Sequence, residues 1–292
     1  FYKNLKFNLD IIKKKYSYEI IFVLDKSSDN SLKKLSLISK KDELSKIIVM
    51  SKRFGHQMSL VAGIDASLGD IIIMMDSDMQ HPAEIIPTLL DKYEKGYDVV
   101  YTIRTYEKEK NIFRKKASTL FYKCLNKLSD LDLKDGEADF RLISRKVADV
   151  FKNNIREQNQ FLRGLFSWVG FKRIGVHYKS KSREYGKSKY SIKILITFAL
   201  SSIFSFSRKP LKYIMLIGLI ISIISIIYSI RIIFLYFAYD DAIKGWSSLA
   251  VLITFFGGLQ LIILGIIAEF IGFIFDEVKQ RPLYIIEKKI NF

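Results

Sequence analysis

Two carboxylates one residue apart, Asp76 and Asp78, stand in the run Met75-Asp76-Ser77-Asp78-Met79-Gln80-His81-Pro82, which continues an unbroken apolar stretch, Ile71-Ile72-Ile73-Met74-Met75. Such a stretch reads as a strand buried on both faces, and where it ends both carboxylates can turn into one site. Hard divalent cations such as Mg2+ prefer oxygen ligands, keep several waters and are often shared between one or two carboxylates and bound phosphates. A D-x-D pair so placed can hold a nucleotide diphosphate through its metal. Alone the pair is common and reads as a solvated turn; its position after a buried strand in an α/β pattern reverses that preference.

The elements that must position this pair follow a βαβ rhythm. Short β-rich runs at 19–24, 46–50, 70–75 and 98–103 alternate with helical stretches, which predicts an α/β domain with a mostly parallel sheet flanked by helices. Open sheets of this kind bind ligands at the carboxyl ends of their strands, and the polar clusters 25–29, 51–57 and 76–81 fall there. Less regular elements follow: a helix over 113–128, a strand over 140–144, a helix over 161–168 and a strand over 174–178. The first segment, 3–15, is an amphipathic helix with Leu5, Leu9 and Ile12 on one side. A helix opening an α/β domain ordinarily follows a strand, so a first strand is expected ahead of Phe1.

Composition divides near Pro210. Before it, charge is mixed with short apolar runs; the stretches 211–237 and 249–275 are almost wholly apolar and each long enough to cross a hydrocarbon core of roughly 30 Å. Arg208, Lys209 and Lys212 precede the first stretch and Lys279, Arg281, Lys288 and Lys289 follow the second, while Asp240, Asp241 and Lys244 lie between. Basic flanks of this kind place the ends and the soluble domain in the cytoplasm. Residues 190–206, with Ile194, Leu195, Phe198, Ile203 and Phe206 among Ser and Thr, read as a helix lying in the interface. The expected division is therefore 1–189 catalytic domain, 190–209 interfacial helix, 210–276 two-helix membrane region and 277–292 cytoplasmic tail. Forty-seven Lys and Arg against 30 Asp and Glu give a net charge of +17, compatible with nucleic acid, an anionic membrane or a phosphorylated substrate. The spans favour the membrane, and neither an RNA-binding motif nor zinc-finger spacing is present. The single cysteine, Cys124, excludes an intrachain disulfide.

Further motifs occur in order along the chain: Phe22-Val23-Leu24-Asp25-Lys26-Ser27-Ser28-Asp29, Arg53-Phe54-Gly55-His56-Gln57, Asp139-Phe140-Arg141-Leu142, Phe161-Leu162-Arg163-Gly164, Arg183-Glu184-Tyr185-Gly186-Lys187-Ser188-Lys189-Tyr190 and Glu277-Val278-Lys279-Gln280-Arg281-Pro282-Leu283-Tyr284. With the D-x-D run they resemble, almost end to end, the family 2 glycosyltransferases of the GT-A fold, in the polyprenyl-phosphate branch that includes dolichol-phosphate mannose synthases and bactoprenol glucosyltransferases. The resemblance implies that Asp76, Asp78 and Gln80 approach Mg2+ or Mn2+. It places Asp25, Ser27, Arg53, His56 and Asp76 at the nucleotide-sugar, Arg183 and Lys189 over the donor diphosphate, and Arg104, Arg114, Ser118 and Arg141 at the acceptor phosphate. For Arg141 a pairing with Asp139 that holds the loop is the alternative. The family usually carries an Asp where this chain has Leu24 and a Gly where it has Lys26.

The implied reaction moves a hexose from a nucleotide-sugar to a polyprenyl phosphate in a bacterial inner membrane, with inversion. A phosphate monoester is already anionic near neutral pH and needs no base to attack the anomeric carbon. UDP-glucose and undecaprenyl phosphate are the favoured pair. A GDP-mannose-dependent synthase, a processive polysaccharide synthase and a non-catalytic scaffold are the rivals, and a homo-oligomer is compatible with the sequence.

Overall fold

The computed structural model describes residues 1–105, 123, 126–128, 132–179, 206–207, 209–239 and 245–292. The expected helix at 113–128 and the interfacial helix at 190–206 lie almost entirely outside these. The chain forms two compact units, Phe1–Ser202 with Gln280–Phe292, and Ile203–Lys279.

The first unit is a mixed α/β structure. Helix α1 (Tyr2–Ile12) buries Leu5 and Leu9, the i,i+4 pair of its apolar side. Strand β1 (Ile20–Leu24), α2 (Ser31–Ser39), β2 (Ser45–Met50), α3 (His56–Ala66) and β3 (Ile71–Met74) then realise the βαβ rhythm. A short 3-10 turn leads into α4 (Ile86–Glu94), followed by β4 (Val99–Thr105), β5 (Glu137–Ser144), α5 (Arg145–Asn153), α6 (Leu162–Trp168) and β6 (Arg173–Lys179). The last element, β7 (Ile286–Ile290), lies beyond the second unit in sequence.

The strands make two sheets, β1-β2-β7 and β3-β5-β4-β6. Parallel pairing holds for β1 with β2 and β4 with β6, whereas β7 on β2 and both neighbours of β5 run antiparallel. The mostly parallel sheet expected from sequence is therefore mixed. The physical reason is that an apolar strand reports burial on both faces, not direction. Ile72 and Met74 are buried, and Ile71 and Ile73 pack against a core containing Leu5, Leu9, Ile86, Leu89, Phe140 and Leu142. Helices cover β3 whichever way its partner runs. A smaller core joins Ile48, Met50 and Ala62 to Val23, Tyr284 and Ile286. Residues 280–292, read from sequence as a tail, thus belong to the α/β unit.

The second unit contains α7 (Lys209–Tyr239) and α8 (Trp246–Val278), which extend both expected spans by a few residues. Their most apolar windows, Leu211–Tyr228 and Phe255–Val278, have mean hydropathies of 2.3 and 2.2 and are not buried in the protein. They are long and apolar enough to cross a membrane.

Candidate active site

Register brings the carboxylates together. Strands β3 and β5 pair antiparallel with Met74 opposite Arg141, so continuing the ladder by two residues sets Asp76 opposite Asp139. Like charges facing each other across strands repel, and the structure answers with a cation on each side. His56 Nε2 lies 2.6 Å from Asp76 Oδ1, and its Nδ1 is 4.0 Å from Asp139 Oδ2. On the far side, Arg163 donates Nε and Nη2 to the two Asp139 oxygens at 2.8 Å each, the bidentate fork that a guanidinium is shaped to make.

The pKa shifts follow this arrangement. The hydrogen bond to Asp76 pulls His56 above the ordinary imidazole range, against the opposing effect of burial and with help from the Asp76 and Asp139 charges. Burial alone would raise Asp76, but the His56 hydrogen bond and the two neighbouring histidines hold it below its usual value. Asp139 is held well below the carboxylate range: burial pushes it up, and the Arg163 charge and hydrogen bonds, with the Arg141 charge, outweigh that.

Each member is placed by local structure. Asp25, at the end of β1, accepts from the backbone N–H groups of Phe54 and Gly55, both at 3.0 Å. That clamp shapes the turn before α3, where Gly55 adopts φ +92°, a conformation glycine reaches without a Cβ penalty, and delivers His56 as the first residue of the helix. Gln57 Oε1 accepts the N–H of Leu162 at the start of α6, so the helices carrying His56 and Arg163 are joined at their N-termini. After β3 the Asp78 carboxylate accepts the Gln80 N–H at 3.1 Å, closing an Asx turn with Met79 at φ 66°.

Behind the pair lies His81, whose side chain is fully buried and stacked on Phe140 at 5.1 Å. Its Nδ1 accepts the Asp76 backbone N–H at 2.9 Å, which puts the proton of the neutral ring on Nε2. Burial lowers its pKa, with Asp76 opposing, so the neutral form is the one this position favours. Arg104, at the end of β4, donates Nε to the Tyr178 hydroxyl at 2.9 Å and brings Nη2 within 3.2 Å of His81 Nε2.

Asp76, His56 and Arg104 thus converge in one neighbourhood together with Asp139, Arg163 and His81, to which sequence reasoning gave no direct part in the site. Asp78 and Gln80 share the adjoining turn. Asp25 acts on the loop backbone rather than presenting both oxygens outward, Ser27 Oγ accepts the Asp29 N–H, and Arg53 is exposed. Arg114, Ser118, Arg183 and Lys189 lie outside the described residues.

Arg141 does not join this cluster. It is 1% exposed, lies 3.4 Å from the equally buried Glu137, donates to the Ala138 carbonyl and sits 4.6 Å over the Phe166 ring. The side chain holding the Asp139 loop is Arg163. Burial raises the pKa of Glu137, opposed mainly by the Arg141 charge. Arg141→Ala is therefore expected to destabilise the α/β unit by about 3 kcal/mol, because it strands a buried carboxylate, while Glu137→Leu with Arg141→Met recovers most of the loss. Thermal unfolding of the two variants checks this; a stable Arg141→Ala protein with weak acceptor binding would return Arg141 to the phosphate.

Strand alternation was the available signal for these pairs. Glu137, Asp139 and Arg141 recur every second residue, which puts three charges on one face of β5. Such a face needs counter-charges from whatever covers it, and α6 supplies Arg163.

Asp76 and Asp78, one residue apart in the turn after β3, are oxygen donors of the kind that share a cation with ligand oxygens and water. Among the described residues no group of three His, Cys, Asp or Glu side chains forms a metal site by itself, so the donor set suits an ion shared with a bound diphosphate rather than one caged by protein.

Comparison with known proteins agrees with the motifs. The model of the family described as Glycosyl transferase family 2 matches residues 2–151. The uncharacterized glycosyltransferase YkcC of Bacillus subtilis (strain 168) is 41% identical over 98% of this chain and 88% of its own length. An uncharacterized glycosyltransferase of Synechocystis sp. is 38% identical over 93% and 85%. The SfII prophage-derived bactoprenol glucosyl transferase of Shigella flexneri is 36% identical over 99% and 92%. The carboxylate pair at the end of β3 and these near-full-length matches lead to one assignment: the chain belongs to Glycosyl transferase family 2.

Proposed function

We propose that this glycosyltransferase moves glucose from UDP-glucose to a polyprenyl phosphate, undecaprenyl phosphate in a bacterium, at the cytoplasmic face of the inner membrane. The observation that carries the reading is that similarity to the bactoprenol glucosyl transferase runs through both the α/β unit and the two long apolar helices. An acceptor with a phosphate at the interface and its tail in lipid gives those helices a purpose.

Connectivity supports the topology. The chain leaves the α/β unit before α7 and returns to it in β7, which pairs with β2. If α7 and α8 both cross a bilayer, their outer ends share one side with the α/β unit. Lys209 and Lys212 at one end, and Lys279 and Arg281 at the other, support reading that side as the cytoplasm.

In this reading Asp76 and Asp78 hold Mg2+ or Mn2+, which would supply positive charge to the departing diphosphate. The protein's own residues do the positioning. His56 and Arg163 hold the Asp76 and Asp139 carboxylates in register, and Arg104 places a fixed cation beside His81 where an acceptor phosphate is to be received. The acceptor oxygen attacks the anomeric carbon as the bond to the diphosphate breaks, inverting the centre.

The test is transfer of labelled sugar from UDP-glucose, and in parallel from GDP-mannose, to undecaprenyl phosphate by the full-length protein in detergent with either metal. A glucolipid that disappears with chelator is expected. Transfer from GDP-mannose alone would replace the donor, and no lipid-linked product from folded protein with either donor would overturn the reading.

A further inference from the structure

The terminal motif 277–284 has no part in the site, yet the structure ties it closely to the helix that carries His56. Helix α8 ends at Val278, and Gln280 adopts a left-handed backbone, φ 47°, that stops the helix and turns the chain. Within the next few residues the chain is held at successive points. Gln158 donates to the Arg281 carbonyl, Leu283 is buried, and the Tyr284 hydroxyl donates to Asp65 Oδ2 at 2.6 Å. Strand β7 then pairs with β2 from Ile286 onward.

Asp65 is the centre of this cluster. Arg156 Nη1 reaches both its oxygens, at 3.0 and 2.8 Å, and only 12% of the Asp65 side chain is exposed. The residue lies in the last turn of α3, where a carboxylate faces the negative end of the helix dipole. It does not serve helix stability there, so its partners must account for it. Burial, reinforced by the hydrogen bond to Asp65, raises the Tyr284 pKa and keeps the phenol a donor. From Lys279 to Tyr284 the extended chain can span no more than about 18 Å.

We propose that Asp65, Arg156 and Tyr284 form a tether point that fixes where the chain leaving the second membrane helix joins the α/β unit, and thereby positions the site for an acceptor embedded in a bilayer. The proposal rests on the lipid-acceptor reading above. The three are positioning residues: they are not among the residues that meet at Asp76, and they join the returning chain to α3, the helix whose opposite end presents His56 to Asp76. A loosened tether leaves the site intact but lets it wander relative to a phosphate whose height is set by the membrane.

The test compares wild type with Tyr284→Phe and Asp65→Asn on two acceptors, undecaprenyl phosphate in nanodiscs and a water-soluble short-chain isoprenyl phosphate. Transfer to the bilayer-embedded acceptor is expected to fall on the order of tenfold or more, while transfer to the soluble one stays within about twofold. Equal falls on both, or no fall on either, would overturn the tether. Tyr284→Phe removes one oxygen from a half-buried ring and carries the comparison alone should Asp65→Asn misfold. Amide exchange in nanodiscs gives a reading that needs no turnover: residues 281–290 should exchange faster in Tyr284→Phe while β1 stays protected, and unchanged exchange would also overturn the proposal. Wild type inactive on both acceptors would sink the lipid-acceptor reading instead, leaving the exchange measurement to judge the tether.

Discussion

Asp78→Asn is expected to lower sugar transfer by about two to three orders of magnitude, the usual cost of removing one charge-stabilising group from a transfer site, with little change in thermal stability. Asparagine keeps the oxygen that accepts the Gln80 N–H, so the Asx turn and the Met79 conformation survive. What disappears is a negative charge and, in the proposed reading, its hold on a cation. Asp76→Asn should cost at least as much turnover but also stability, because the Asp76 carboxylate is bonded to His56 at 2.6 Å and balances it electrostatically. Measuring metal-dependent donor binding beside turnover separates the two. If Asp78→Asn bound donor with unchanged metal dependence and kept most of its activity, the cation would have to be held elsewhere.

That the D-x-D pair was legible in sequence while its surroundings were not has a physical explanation. A buried strand announces itself through an apolar run, and the residues that follow it are then placed at the carboxyl edge of the sheet. Strand direction is not encoded in such a run, so the antiparallel β3–β5 pairing, and with it the Asp76–Asp139 juxtaposition, could not be read. Nor could β7. Its sequence, Ile286-Glu287-Lys288-Lys289-Ile290, is charged because most of it is exposed at a sheet edge, and its partner β2 lies far away in the chain. The long helices were clear, since an apolar stretch of membrane length needs no partner to be recognised. Sequence also showed two arginines in neighbouring motifs, Arg141 and Arg163, but not which one goes inside. That choice depends on α6 covering β5, where Phe166 stacks on Arg141 and leaves Arg163 to reach Asp139.

The Asp139–Arg163 pair supplies the second large effect. Arg163→Ala leaves Asp139, 12% exposed, without its fork, and should destabilise the α/β unit by about 3 kcal/mol, near the low end for a broken buried pair because Arg163 keeps 28% of its own surface. In a unit of this size that corresponds to a fall in midpoint of about 10 °C. The pH dependence identifies the cause. In the wild type Asp139 is depressed below its unfolded value, so its contribution is complete above the ordinary carboxylate range and is lost as pH falls through the depressed value. Without Arg163 burial is no longer outweighed and the Asp139 pKa moves up. A raised carboxyl favours the folded state on the acid side, so the deficit of Arg163→Ala relative to wild type should be largest at neutral pH and shrink as pH falls through the raised Asp139 value towards the ordinary carboxylate range near about pH 4. Unfolding followed by near-UV circular dichroism from pH 4 to 8, with chelator present, measures it. A deficit independent of pH would mean that Arg163 acts through packing. Activity should fall along with stability, because His56 would then face two carboxylates, one of them freed from its fork, and be drawn away from Asp76. Arg163→Lys keeps the charge but not the planar fork, and should recover stability in part while leaving His56 less well placed.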